Sequence, residues 1–299
     1  MLYHKPVMLQ ECIQALNIKP DGVYIDVTYG GGGHSKEILK QLKTGRVIAF
    51  DQDADAVQNT VADERFSFFR ENFSNVLSRL QELQCFPVDG LLADLGISSH
   101  QIDEPLRGFS TRFDAELDMR MDQQTSLTAK QIVNSYSVEM LVKLFSNFGE
   151  ISNSKQLANA IEKARRSTPI VTTEQLKSAI KSCYSPAREH QYMARVFQSL
   201  RIEVNHEMQV LQELLQQTPK LIKKGGRLVV IAYHSLEDRM VKNMINAGNV
   251  EGELHKDFYG NVTDKVFLPL TKKPLLPTDE EIKSNPRSRS ARLRIAERS

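Results

Sequence analysis

Apolar and polar positions follow two alternating periods along the first part of the chain. Short apolar runs rich in β-branched and aromatic residues occur at residues 23–27, 46–50, 66–69 and 88–93. Between these runs apolar residues recur every three or four positions, which is the pattern of a helix with one buried face. Strands that alternate with helices form a parallel sheet. The pattern therefore predicts an α/β fold whose first four strands are parallel.

The alternation stops after Asp94. Residues 95–122 have no clear period, although phenylalanines and methionines within them indicate an ordered segment. The segments that follow have helical spacing. We interpret residues 105–189 as a helical insertion for substrate recognition, placed within a sheet domain made of residues 1–104 and 190–299.

Clear patterns return in the second half of the sheet domain. One apolar stripe over residues 197–215 predicts a single long helix, and the polar residues Gln198, Arg201 and Asn205 share another face of it. That polar face either lines a site or is solvated. Gly225 and Gly226 are expected to end this connection before the fifth strand. The remaining predicted strands are 227–232, 265–268 and 290–296.

The sequence IDVTYGGGGHS, residues 25–35, joins the first predicted strand to the next helix. Glycine adopts backbone conformations that other residues resist, and it leaves the main chain open to close approach by a ligand. The positive end of the following helix favours ligand binding at this turn. The alternative is a flexible loop, which the strand, turn and helix context makes less favourable.

An acidic residue ends three of the predicted strands: Asp26, Asp51 and Asp94. Parallel sheets bind ligands at the carboxyl ends of their strands, and an acid after the second strand binds ribose hydroxyls in dinucleotide folds. Each acid can instead serve as a cap or turn residue. The glycine turn and these acids fit both a nicotinamide dehydrogenase and an S-adenosylmethionine-dependent methyltransferase. Asp26, however, would repel the pyrophosphate of a nicotinamide cofactor. The methyltransferase is therefore favoured.

Composition adds three constraints. Three cysteines at positions 12, 85 and 183 match neither a disulfide framework nor a metal site, so we expect no metal and a reducing, cytoplasmic environment. No apolar run approaches the roughly 20 residues of a membrane helix. The net charge is +2, yet residues 283–299 hold six basic residues and one acidic residue, a local +5. This basic end suggests an anionic partner such as a nucleic acid, or a solubilising tail.

The chain also resembles the bacterial 16S ribosomal RNA (cytosine-N4)-methyltransferases. The blocks that carry the resemblance extend from residue 4 to residue 298, and LDMRMD (117–122) and HSLEDR (234–239) are the most specific of them. Modest departures are Tyr233, His100 and the segment at 190–195. The resemblance implies a Rossmann-like class I methyltransferase sheet, S-adenosylmethionine as cofactor, and methylation of the exocyclic amine of a cytidine in 16S ribosomal RNA. It implies these cofactor contacts: Gly32, Gly33, His34, Asp51, Phe73, Asp94 and Gln101.

The group that accepts the N4 proton of the cytosine is open at this point. Candidates are Asp94, a main-chain carbonyl at residues 95–97, Asp118 and His234, and we hypothesise that Asp118, Arg120 and His234 hold the base. We expect the helical insertion and the basic end to contact RNA. The candidate RNA-binding residues are Arg120, Arg201, Arg287, Arg289 and Arg292.

A protein of a different class, a non-catalytic RNA-binding factor in ribosome assembly, would use the same fold. The intact glycines and acids argue against it, and binding of S-adenosylmethionine would discriminate. The expected partner is 16S ribosomal RNA within the small ribosomal subunit. The sequence leaves open whether free RNA or the assembled subunit is the substrate, and also the oligomeric state.

Overall fold

The computed structural model describes residues 6–260 and 263–299, so residues 4 and 5, where the resemblance begins, lie outside the described residues. The chain divides into two compact units. A helical unit comprises Ile97–Glu207, and a sheet unit is formed by the sequence on either side of it. The insertion expected at 105–189 lies within the helical unit, whose limits are 8 (105 − 97) and 18 (207 − 189) residues farther out.

The sheet unit is built on a mixed sheet of seven strands. The strands are Val23–Asp26 (β1), Arg46–Phe50 (β2), Phe66–Phe69 (β3), Val88–Asp94 (β4), Ile222–Ala232 (β5), Phe267–Pro269 (β6) and Arg292–Arg298 (β7).

The strands lie in the order β3-β2-β1-β4-β5-β7-β6. Strands β1 to β5 are parallel, and β7 pairs antiparallel with both β5 and β6. From β1 the chain proceeds outward through β2 and β3, then returns to place β4 on the other side of β1. This reversal creates a switch point at the carboxyl ends of β1 and β4, where open α/β sheets bind their ligands. The four predicted parallel strands are confirmed.

The helices are Leu9–Leu16 (α1), Gly33–Gln41 (α2), Val76–Glu82 (α3), Ser99–Asp103 (α4), Ala129–Ser135 (α5), Val138–Gly149 (α6), Ser154–Arg165 (α7), Thr173–Ala179 (α8), Glu189–Asn205 (α9), Glu207–Leu221 (α10), Ser235–Ala247 (α11) and Asp279–Ser284 (α12). None of the helices within residues 6–260 and 263–299 is long and apolar enough to cross a membrane.

Helices cover both faces of the sheet, which explains why its central strands are apolar throughout. On one face Ile25 and Val230 pack in a core with residues of α3, α10 and α11. On the other face Tyr24 and Val229 pack with residues of α1 and α2. Neighbouring residues of a strand thus enter opposite cores, as the period of two along a strand requires.

The helical unit has a core of its own. Leu117, Phe145, Leu157 and Leu200 are all fully buried in it. Because Leu200 lies on α9, this helix packs within the helical unit.

Two local predictions are wrong. The single helix predicted over 197–215 is broken at His206, which has a left-handed backbone with φ 51° and separates α9 from α10. The apolar stripe continues across the break and therefore conceals it. Gly225 and Gly226 also do not precede the fifth strand, since β5 begins at Ile222 and passes through them at a register shift opposite Val88 and Gly90.

Candidate functional site

The glycine turn lies between β1 and α2 at the switch point of the sheet. Gly32 has φ 73°, and a Cβ atom placed on it would lie 2.5 Å from the hydroxyl oxygen of Tyr29. A Cβ on Gly33 would lie 2.1 Å from Cγ of Pro6. Both glycines are therefore required by packing within the chain itself. Gly30, by contrast, has no heavy atom within 4 Å of the equivalent position, so the turn is open on that side.

Asp26 ends β1 and is 1% exposed. One carboxylate oxygen, Oδ2, accepts the hydroxyl of Ser35 at 2.6 Å, and Oδ1 accepts the backbone N–H of Thr28 at 3.2 Å. Burial raises the pKa of Asp26 to about 6, although these hydrogen bonds oppose the shift. Asp26 thus ties β1 to the first turn of α2 and brings a desolvated negative charge to the site.

Asp51 follows β2 and holds the glycine turn from the neighbouring strand. Its Oδ2 accepts the N–H of Gly30 at 2.7 Å, while Oδ1 accepts the N–H of Asp53 at 2.8 Å. The side chain of Asn59 donates to the carbonyl of Gly30 at 2.9 Å. Burial raises the pKa of Asp51 to about 6 as well.

Asp94 ends β4, directly across the switch point from β1. Its backbone N–H donates to Oγ1 of Thr28 at 2.6 Å, and its Oδ1 accepts the hydroxyl of Tyr233 at 2.7 Å. Burial raises the pKa of Asp94 to about 6, against the lowering effects of His34 and of the Tyr233 hydrogen bond. Asp26, Asp51 and Asp94 therefore meet at one edge of the sheet, where the sequence places them.

Two further residues expected to contact the cofactor lie at the same edge. His34 is buried in the first turn of α2, where its Nε2 lies 3.1 Å from the carbonyl oxygen of Val7. Burial lowers the pKa of His34 against the opposing effect of Asp94, and the ring is anchored through Nε2. Phe73 opens the turn that follows β3, and Asn72 ties that turn to Gln52 after β2 by a 2.8 Å hydrogen bond.

His234 caps the N-terminus of α11. Its Nδ1 accepts the N–H of Glu237 at 3.4 Å. Its Nε2 is buried and lies 3.0 Å from Oε1 of Glu237, but the two atoms do not form a hydrogen bond. The Glu237 carboxylate is 2% exposed and accepts the backbone N–H groups of Tyr233 and His234. The His234 ring is therefore engaged in fixing the end of β5.

In the helical unit, the LDMRMD block is an ordered loop. Arg120 donates to both carboxylate oxygens of Asp118 at 2.7 and 2.8 Å, and also to the carbonyls of Gln123 and Thr125. Burial would raise the pKa of Asp118, but the bonds from Arg120 outweigh it and lower this pKa. Asp118 and Arg120 thus form one bidentate pair.

Asn205 connects this loop to α9. Its side chain donates to the carbonyl of Met119 at 2.8 Å and accepts the N–H of Met121 at 2.7 Å. Arg201, one turn earlier, forms a bidentate pair with Glu207 at 2.8 and 3.0 Å, and both side chains are less than 15% exposed. The polar face of α9 therefore stabilises the helical unit. Sequence spacing did not reveal these contacts.

Gln101 is buried in α4 and completes a capping box with Ser98. At the basic end of the chain, Arg289 is exposed, whereas Arg292 and Arg294 both pair with Asp238 at the start of α11. Arg292 remains 48% exposed beside that pair. In the part of the chain that the structure describes, no group of three His, Cys, Asp or Glu side chains is arranged to hold a metal.

A sequence model of the MraW methylase family matches residues 1–299. Ribosomal RNA small subunit methyltransferase H of Amoebophilus asiaticus is 53% identical over 99% of this chain and 96% of that protein. The protein of the same name from Flavobacterium johnsoniae is 51% identical over 100% and 98% of the two chains. The solved structure of an rRNA methylase from Streptococcus thermophilus aligns with 100% of this chain and 98% of its own chain, at 10% identity and with a TM-score of 0.42.

Proposed function

The chain belongs to the MraW methylase family, and from that premise we propose that it methylates the N4 amine of a cytidine in 16S ribosomal RNA. S-adenosylmethionine is the methyl donor, and the small ribosomal subunit in the cytoplasm is the partner. We infer the ribosomal RNA substrate from the name of the two relatives. We infer the cytidine amine as the methylated group from the resemblance of the sequence blocks.

The charge of the sheet edge is the observation that carries this proposal. Asp26, Asp51 and Asp94 accept hydrogen bonds only from hydroxyl and backbone N–H groups, and no lysine or arginine of the described residues pairs with them. Three desolvated carboxylates attract a cation and repel phosphates. The sulfonium and ammonium groups of S-adenosylmethionine fit this edge, whereas the pyrophosphate of a nicotinamide cofactor does not.

The cofactor residues implied by the family have specific places in this proposal. Asp51 lies where a carboxylate accepts ribose hydroxyls, and Phe73, on the next strand end, offers a ring for stacking on adenine. Gly32, Gly33 and His34 shape the turn at the start of α2. Gln101 enters the set through the resemblance alone.

When bound, S-adenosylmethionine supplies a methyl carbon that leaves its sulfur as the N4–C bond forms, so that a neutral thioether departs. Asp94 accepts an N–H of the amine, which localises the nitrogen lone pair and stabilises the positive charge that develops. The proton lost from N4 passes through this carboxylate to water. Asp118 is less suited, because Arg120 occupies both of its oxygens.

The basic end of the chain is proposed to hold RNA phosphates. Replacing Arg287, Arg289 and Arg292 together by Ala should weaken binding of the 16S RNA and reduce the slope of log Kd against log salt by two to three. Lys40→Ala removes an exposed charge from the last turn of α2 and serves as the control. An unchanged slope in the triple variant would assign these arginines to stabilising β7.

Methylation of ribosomal RNA tests the proposed function directly. Small subunits and free 16S RNA from cells lacking the protein are incubated with the protein and S-adenosylmethionine, and their nucleosides are analysed by mass spectrometry. We expect N4-methylcytidine in the small subunit sample. Absence of the modified nucleoside from both samples would contradict the proposal. Absence of cofactor binding in calorimetry would favour a non-catalytic assembly factor.

A further inference from the structure

We propose that Tyr233 is a positioning residue that fixes one oxygen of Asp94, so that the other oxygen faces the amine of the substrate. The inference rests on the proposed function and deepens it. It assigns to Tyr233 a role in the reaction without contact to the reacting atoms.

The two residues are held from independent directions. Tyr233 directly follows β5, whose Ile231 pairs with Asp94 of β4. The backbone N–H of Tyr233 donates to the buried Glu237 carboxylate at 2.8 Å, and that of Asp94 donates to Thr28 at 2.6 Å. The 2.7 Å bond between the Tyr233 hydroxyl and Oδ1 of Asp94 is therefore formed between two fixed backbones.

The second oxygen of Asp94, Oδ2, is available. Within residues 6–260 and 263–299 no group donates a hydrogen bond to it. It is also not sealed from solvent, since the enclosed unpartnered polar atoms of those residues belong to Asp89, Arg227 and His234. Because Oδ1 is occupied, rotation of the carboxylate is restricted and Oδ2 is the acceptor presented at the switch point.

Several charged or titratable groups face this carboxylate. They are His34 on α2, Asp26 on β1, Glu237 on α11 and Cys12 on α1. Burial and Asp94 itself raise the pKa of Tyr233 far above neutrality, so Tyr233 remains a donor throughout the working range. Its bond lowers the pKa of Asp94, and therefore loss of the hydroxyl should raise this pKa from about 6.

The pH dependence of kcat/KM for small-subunit methylation tests the pair. We expect the acidic limb of the wild type near pH 6, and a shift of the limb to higher pH by about one unit in Tyr233→Phe. A rise of one unit in the pKa corresponds to roughly a fivefold loss of kcat/KM at pH 6 and to almost no loss at pH 8.5. In an Asp94→Asn background, Tyr233→Phe should have little further effect.

Tyr24→Phe is the matched control. Tyr24 is a fully buried tyrosine of β1 whose hydroxyl accepts the N–H of Lys19 at 2.7 Å. It pairs with Gly90 of β4, whereas Asp94 lies at the carboxyl end of that strand. The Tyr24→Phe substitution should lower the melting temperature without moving the acidic limb of the kcat/KM profile. Loss of activity by the same factor at every pH in Tyr233→Phe, or an unchanged profile, would overturn the inference.

A second measurement does not depend on activity. A ¹³C carboxyl NMR titration of the free protein, with the Asp94 signal assigned through Asp94→Asn, should show a higher Asp94 pKa in Tyr233→Phe than in the wild type. Equal Asp94 pKa values in the wild type and in Tyr233→Phe would overturn the inference even if the protein methylates the RNA. A wild type that does not methylate would instead contradict the proposed function, and the titration would still decide the role of the pair.

Discussion

Asp26→Asn separates the charge of the site from its hydrogen bonds. The asparagine retains Oδ1 as an acceptor for the N–H of Thr28, and its amide can donate to the Ser35 hydroxyl, which is able to accept. The substitution therefore removes a buried charge and leaves both contacts possible. We expect the free protein to become more stable and its affinity for S-adenosylmethionine to fall.

The magnitude follows from the pKa of Asp26. Burial raises this pKa from 3.8 to about 6, so the folded state binds the proton more tightly than the unfolded chain. The folded state is then destabilised progressively as the pH rises from about 4 to about 6, by about 3 kcal/mol in full. Asp26→Asn should recover up to about 3 kcal/mol at pH 8 and about half as much at pH 5.

Urea denaturation of the free protein, followed by circular dichroism at pH 5 and pH 8, measures this difference. Asp51→Asn is the informative comparison. Each oxygen of Asp51 accepts a backbone N–H, from Gly30 and from Asp53, so an amide group must leave one of them unpaired. Asp51→Asn should therefore gain less stability or lose some. Equal destabilisation by Asp26→Asn at both pH values would refute the reasoning.

Four other expectations can be measured directly. Asn205→Ala removes the side-chain contacts that hold the LDMRMD loop and should lower the free energy of unfolding by about 2–3 kcal/mol in denaturation experiments. Arg201→Ala leaves the partly buried Glu207 carboxylate without this bidentate partner and should lower the free energy of unfolding by about 1–3 kcal/mol. Gly33→Ala should weaken cofactor binding in calorimetry, because its methyl group displaces Pro6. The rise in melting temperature on adding saturating S-adenosylmethionine should be larger at pH 8 than at pH 5, since the site is more negative at pH 8.

The strands and their terminal acids were predictable because their signals are local. An apolar run of five residues identifies a buried strand, and parallel strands bring their carboxyl ends to one edge. This logic places Asp51 and Asp94 together without knowledge of any contact. The bounds of β3 agree with the predicted 66–69, and those of β1 and β4 differ from prediction by one residue.

Contacts between distant positions were not predictable in the same way. Tyr233 and Asp94 are 139 residues apart, and only the pairing of β5 with β4 brings them together. The glycine run predicts a main chain open to a ligand, but the atom nearest to a Cβ placed on Gly33 belongs to Pro6. Neither contact leaves a periodic signal in the sequence.

The polar face of α9 shows why periodicity alone can mislead. Arg201 and Glu207 are six residues apart, a spacing that places two residues on different faces of a continuous helix. The left-handed residue His206 ends α9 between them and lets the two side chains meet. A single backbone conformation therefore lets a residue of this polar face form a partly buried ion pair within the helical unit.

The acids at the sheet edge are best explained by a ligand and not by the fold. A carboxylate that stabilises a folded protein has a lowered pKa, as Asp89 and Asp238 have here through their lysine and arginine partners, although burial acts against the shift. Asp26, Asp51 and Asp94 have pKa values raised to about 6, so their ionisation at neutral pH destabilises the free protein. Perturbed groups of this kind concentrate at functional sites. A cation bound among them would offset that cost, and the methyl donor of the proposed reaction carries such a charge at the atom from which the methyl group departs.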